Sequence, residues 1–226
     1  MLFKSLRYIL FTGLILFVFS CINDGHKKII VEDPNGYFRE EFIVINDSIK
    51  DGVYLKYFGN GVLWDSCVYK NDTLQGVRKL FTNKGKLEIK ENYKDGVLQG
   101  EYVVYFPNGK IKLLQYYKNN VMQDTSYAYY DNGTLKEKVT FKDGLENGPF
   151  IEYYKNGGVH WKGTYFNGDN EQDTLYEYSE KGELIKKMLC NRGVCFTIWT
   201  KDKGDIKPDT GIIKKEMIEM TDDLIN

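Results

Sequence analysis

Two histidines, His26 and His160, are the only imidazoles in a chain of 226 residues, and nucleophilic catalysis needs a base beside its nucleophile. His26 falls in a polar N-terminal stretch, and His160 alternates with residues expected to face water. No phosphate-binding glycine loop, dinucleotide fingerprint or metalloprotease helix is present. Glu40-Glu41 and Glu216/Glu219 read as solvated carboxylates. The stretch "NGDNEQD" (Asn167 to Asp173) gathers three acids in one loop, but the ligand order of a Ca²⁺-binding EF-hand is missing. The residues that could do chemistry therefore predict no enzyme, no cofactor and no metal.

The cysteines say more about compartment than about catalysis. The first twenty residues, "MLFKSLRYILFTGLILFVFS", place Lys4 and Arg7 before an apolar run from Tyr8 to Phe19. That run is shorter than the roughly 20 residues of a spanning helix and suits a secretory leader. Ser20-Cys21 at its end resembles a bacterial lipoprotein cleavage box. Two readings stand: acylation of Cys21, which would anchor the chain stably because several acyl chains are added, or a plain leader followed by a chance cysteine. An exported chain meets an oxidising compartment, where thiols pair by default. Cys190 and Cys195 flank the turn-like "NRGV", and facing positions across a hairpin can have the separation a disulfide needs. Bridged and free forms both stay open. Cys67 reads as a small buried apolar group.

Of 31 basic side chains, Lys4 and Arg7 lie in the leader, so the remainder carries 29 against 32 acidic ones. Nothing there favours nucleic acid, which wants a basic face. "INDGHKKIIVEDPNG" after Cys21 is polar, so residues 21–35 are expected to form a tether.

The elements that must position everything else are repeats. Turn glycines recur at Gly61, Gly85, Gly109, Gly133, Gly157 and Gly182, spaced by 24 residues and finally 25. Four residues before each stand Tyr57, Phe81, Tyr105, Tyr129, Tyr153 and Tyr178. Two after come Leu63, Leu87, Ile111, Leu135, Val159 and Leu184; eight after come Tyr69, Tyr93, Tyr117, Phe141, Tyr165 and Cys190. Within "Phe106-Pro107-Asn108-Gly109", Pro suits a type I turn and Gly the φ > 0 residue that closes a three-residue hairpin loop. Such a loop pairs the aromatic column with the aliphatic one. Strict alternation then sorts the fifth repeat into an apolar face (Ile151, Tyr153, Val159, Trp161, Gly163, Tyr165) and a wet one (Glu152, Tyr154, Gly158, His160, Lys162, Thr164). One hairpin buries too few side chains to offset the entropy of ordering it, so neighbours must share faces and pairing. The expectation is an all-β meander of about twelve strands: tandem 24-residue hairpins in an elongated, twisted antiparallel sheet over residues 36–193, partial at its start. Over residues 194–226 the chain should add a strand, "VCFTIWT", and a short helix. Ile213, Met217, Met220 and Leu224 stand at helical spacing there, either covering a sheet edge or docking a partner.

The combination "NYKDGVLQGEYVVYFPNGK" resembles the MORN repeat variant of bacterial proteins. The pattern departs at Asp124 and Asp173, which replace the repeat-opening Gly of Gly76, Gly100 and Gly148, and at Thr82 and Ser179, where an aromatic is common. Resemblance implies interaction rather than catalysis, and some relatives are described as the antitoxin half of toxin–antitoxin pairs. A row of aromatics three residues before the turn glycine, Phe58, Phe106, Tyr130 and Tyr154, lies near Lys112, Lys136, Lys138 and Lys162 and is the candidate interaction surface; the same residues could equally serve cross-strand packing. The function expected is that of a lipid-anchored scaffold in a bacterial cell envelope, on the outer membrane if the cell is Gram-negative, which binds a protein and acts like an antitoxin. The alternative is a module whose tyrosine rows stack on a glycan or envelope polymer.

Overall fold

The computed structural model of the chain describes residues 15–21 and 25–207, the first stretch by its backbone alone. Every helix-or-strand element among them is a strand. The chain divides into two compact units, residues 1–109 and 110–226. The N-terminal unit holds β1 (Ile15–Cys21), β2 (Lys27–Glu32), β3 (Phe38–Ile45), β4 (Ile49–Phe58), β5 (Leu63–Lys70), β6 (Thr73–Phe81), β7 (Leu87–Lys94), β8 (Val97–Leu98) and β9 (Gly100–Tyr105). The C-terminal unit holds β10 (Ile111–Lys118), β11 (Val121–Tyr129), β12 (Leu135–Lys142), β13 (Leu145–Tyr153), β14 (Val159–Tyr165), β15 (Glu171–Tyr178), β16 (Leu184–Asn191), β17 (Val194–Thr200) and β18 (Gly204–Asp205). Within each unit, strands adjacent in sequence pair antiparallel. β8 and β9 are pieces of one strand interrupted at Gln99, both paired with β7. The expected helix lies outside the described residues, as does the Cys21 side chain.

The N-terminal boundary differs from expectation. Residues 27–32, read as tether, form β2, because Ile29 and Val31 alternate onto one face and pack with Val44 and Phe42. β1, from the stretch read as leader, pairs with β2 in its turn.

Two kinds of turn alternate along the array. Inside each hairpin the glycine amide bonds back three residues, as in Gly133 N to Tyr130 O at 2.8 Å, and Tyr130 N donates to Thr134 O at 2.8 Å. This is the expected loop, with Gly133 at φ 89°. Between hairpins, Asn71-Asp72, Asp95-Gly96, Asn119-Asn120 and Asp143-Gly144 have both central residues at φ > 0. That marks the two-residue type I′ turn, whose twist matches the flanking strands.

Side chains staple each turn to the next. Asn60, Asn132 and Asn156 accept locally from Val62, Thr134 and Gly158 N and donate to Asn83, Lys155 and Glu180 O in the following turn. Where Lys84 and Lys181 replace that Asn, the hydroxyls of Thr82 and Ser179 accept from Lys86 N and Glu183 N instead, each at 3.2 Å. The departures at Thr82 and Ser179 therefore keep the turn by another acceptor.

One feature overturns the expected faces. In five repeats the ladder slips by one residue just beyond the aromatic–aliphatic pair. Tyr153 faces Val159, but Glu152 faces Trp161 and Phe150 faces Gly163; the same slip follows Tyr57, Phe81, Tyr129 and Tyr178. The extra residue is a β-bulge (Trp64, Glu88, Lys136, His160 or Ile185). Phe150 and Glu152 thus share a face with Trp161, Gly163 and Tyr165, while Ile151, Tyr153 and Val159 sit on the other. That first face is the core face: it carries Val139, Phe150, Leu175 and Cys190 in the C-terminal unit and Ile29, Val31 and Val44 in the N-terminal one.

Candidate interaction site

The anticipated surface residues are divided by the bulge. Phe58, Phe106, Tyr130 and Tyr154 are half-buried, and Lys112, Lys136, Lys138 and Lys162 exposed. Phe58 stacks on the bulge residue Trp64 at 4.7 Å between ring centres, and Tyr154 on the bulge residue His160 at 4.2 Å. The hydroxyls of Tyr130 and Tyr154 donate to Tyr153 O and Tyr178 O of the next repeat, at 2.8 and 2.9 Å. These aromatics bind the array to itself. His160 is correspondingly not a free surface imidazole: its ring lies between Tyr154 and Trp161, with Nδ1 3.9 Å from Glu152.

Lys138 and Lys162 belong to the outer face. There Tyr127, Lys138, Ile151, Lys162, Tyr176, Lys187 and Trp199 stand each directly opposite the next across seven strands. Lys162 Nζ lies 5.0 Å over Tyr176 and Lys187 Nζ 5.3 Å over Trp199, so the row holds its own cation–π contacts. Cys190 and Cys195 face each other in β16 and β17 and are joined as a disulfide, Cα atoms 4.1 Å apart.

The core face of the C-terminal unit carries something the sequence reading missed. A cleft of about 370 Å³ opens between Phe150, Trp161, Tyr165, Leu175 and Met188, with Glu152 and Glu171 in its walls. Its floor depends on Gly163, where a Cβ would sit 2.8 Å from Leu175 Cδ1 and 2.9 Å from Phe150 Cε1. The bare backbone there lets the Phe150 ring stack on Tyr165 at 4.1 Å. Carboxylates flank this aromatic strip on both sides along the strands: Glu137, Glu152 and Glu177 at one end, Glu146 and Glu171 at the other.

Those acids are poorly compensated. Glu177 pairs with Lys186 at 2.7 Å. Glu137, Glu146 and Glu171 form no ion pair among the described residues, and Glu152 has only His160. Burial, with Glu152 directly opposite, pushes the Glu137 carboxyl above its ordinary range, against the pull of Lys136. Burial and Asp169 push Glu146 up. The Tyr165 phenol is raised by burial and then by Glu152, Glu137, Glu171 and Glu146.

The N-terminal unit solves the same problem internally. On its core face Arg78 forks onto Asp65, Nη2 to Oδ2 at 2.7 Å, and reaches Glu91 at 3.4 Å. Lys56 pairs with Glu40 at 2.8 Å and lies between Phe38 and Trp64. Lys50 sits among Phe42, Tyr54 and Tyr69 at 5.0–5.2 Å. Glu40 and Glu41 are ion-paired rather than simply solvated. Burial and Asp65 push the Cys67 thiol up to about 11, so it stays protonated and inert.

Tandem antiparallel hairpins joined by type I′ turns define a β-hairpin repeat protein. The sequence agrees: residues 50–71, 74–95, 98–119 and 125–143 match the family model of the MORN repeat variant as four repeats. The same hairpin continues through β13–β14 and β15–β16. No curated protein matches the chain.

Proposed function

We propose that the chain is a non-catalytic interaction scaffold, held to a bacterial envelope membrane by acyl chains on Cys21, whose repeat array offers its C-terminal core face to a protein partner. The cleft beside Trp161 carries this reading. It combines aromatic walls, which dominate binding energy at interface centres, with carboxylates left without cations. The antitoxin-like relatives make a toxin a candidate partner. Photo-cross-linking in cells from position 171 should recover one dominant protein species; recovery of none, or competition by soluble polysaccharide, would sink the reading. The anchor is tested separately, since fatty-acid label should enter the wild type and not Cys21→Ala.

A glycan or envelope polymer is the second reading, favoured by the stacked Phe58–Trp64 pair with Trp64 37 % exposed. Trp64→Ala should then abolish pull-down by cell-wall polysaccharide; unchanged pull-down removes that reading.

A further inference from the structure

We infer that the cleft of the C-terminal unit receives an arginine side chain of a partner protein, its guanidinium lying against Trp161 and Tyr165 with Glu152 and Glu171 as acceptors. This rests on the protein-binding reading above and adds the chemistry of the partner.

The N-terminal unit shows what a guanidinium does on such a face, with its acids at other positions of the repeat than Glu152 and Glu171. On the core face of the N-terminal unit the carboxylates of Asp65 and Glu91 are bridged by Arg78, which stands opposite Glu91 on paired strands. In the C-terminal unit the positions equivalent to Arg78 are Ser126, Phe150 and Leu175, and among the described residues no arginine forms an ion pair with Glu137, Glu146, Glu152 or Glu171. Instead Glu137 stands directly opposite Glu152, and like charges so placed on a sheet are destabilising. Half-buried carboxylates without partners cost stability until a cation arrives, so the face is electrostatically incomplete as it stands.

Arginine fits better than lysine. Its planar fork stacks on aromatic rings and spans two carboxylate groups, whereas an ammonium is a compact, strongly hydrated point charge. The acids line both ends of an open strip rather than closing a cage, which suits a side chain delivered on a polypeptide more than a free ammonium ligand. Lys186 lies 5.0 Å over Trp161, but its Nζ is engaged with Glu177, which leaves Glu171 without an ion pair among the described residues and Glu152 with His160 alone.

The test uses the full chain and two acetylated, amidated peptides, Gly-Gly-Arg-Gly-Gly and its citrulline counterpart, which keeps the shape and loses the charge. The arginine peptide should shift the Trp161 indole N–H resonance saturably, and the citrulline peptide should not. Glu152→Gln with Glu171→Gln should weaken arginine-peptide binding by about tenfold or more; both changes relieve repulsion, and circular dichroism checks that the variant is folded. A citrulline peptide that binds equally, an absent Trp161 shift, or unchanged affinity in the double variant each overturns the inference. If the double variant still cross-links the same cellular protein from a position outside the cleft, only the arginine assignment falls and the scaffold reading stands. If the peptide binds as expected and no protein is recovered from cells, the scaffold reading falls and takes the partner protein with it, leaving only the cleft's affinity for an arginine side chain.

Discussion

Asp124 and Asp173 hold φ values of 63° and 64°, where Gly76, Gly100 and Gly148 hold 67°, 89° and 119°. The repeat-opening position therefore demands a left-handed backbone, and Asp is among the few side chains that tolerate it. Asp124→Gly should stabilise the protein by about 1 kcal/mol, read from urea unfolding; no gain would mean that the Asp side chain repays its strain locally. Glu137 makes an opposite kind of prediction. Its folded pKa is raised, so between the ordinary carboxylate range and that higher value the folded state holds more protons than the unfolded one, and stability falls as pH rises. Glu137→Gln should raise the melting temperature at neutral pH and leave it nearly unchanged in acid, where Glu137 is protonated in both states. Equal gains at both pH values would show that charge is not the cause.

At the scale of the hairpin, stability depends on bonds between repeats as much as within them. Tyr154→Phe removes the hydroxyl bonded to Tyr178 O while keeping the ring on His160. The expected loss is about 1 kcal/mol in the unfolding free energy, and an unaltered midpoint would relegate that bond to decoration. The Cys190–Cys195 bridge closes a loop of sequence separation 5. Loop-closure entropy for so short a segment gives roughly 2 kcal/mol, so reduction should lower the melting temperature measurably and loosen the cleft wall formed by Cys195. The turns were legible in advance because Asn, Asp and Gly are the residues that tolerate φ > 0. The bulge was not: Trp64, Glu88, Lys136, His160 and Ile185 share no side-chain property, so no residue type marks the slip. Strict alternation, carried through it, put Glu152 on the wrong face and hid the cleft.

For the whole molecule, the staples between successive turns make each repeat depend on its neighbours, as nearest-neighbour arrays require. A two-repeat fragment such as residues 121–165 should unfold at far lower urea than the full chain, in thermal and denaturant scans alike. A fragment that melts as sharply and as high would mean that single hairpins are self-sufficient. The units also differ in how they treat charge. The N-terminal core face neutralises its acids with Arg78 and Lys56, whereas the C-terminal one leaves Glu137, Glu146 and Glu171 without an ion pair among the described residues, and the proposed partner site rests on that contrast.

Residue spacing alone determined that this chain is a tandem array of hairpins and where each turn falls, because turn geometry and period are local properties written in glycine, asparagine and the aromatic columns. Which side chains share the core face was decided only by tertiary structure. A single inserted residue per hairpin rotates one strand's side chains to the other face, and whether a carboxylate finds a cation depends on strands that are neighbours only once the sheet has formed.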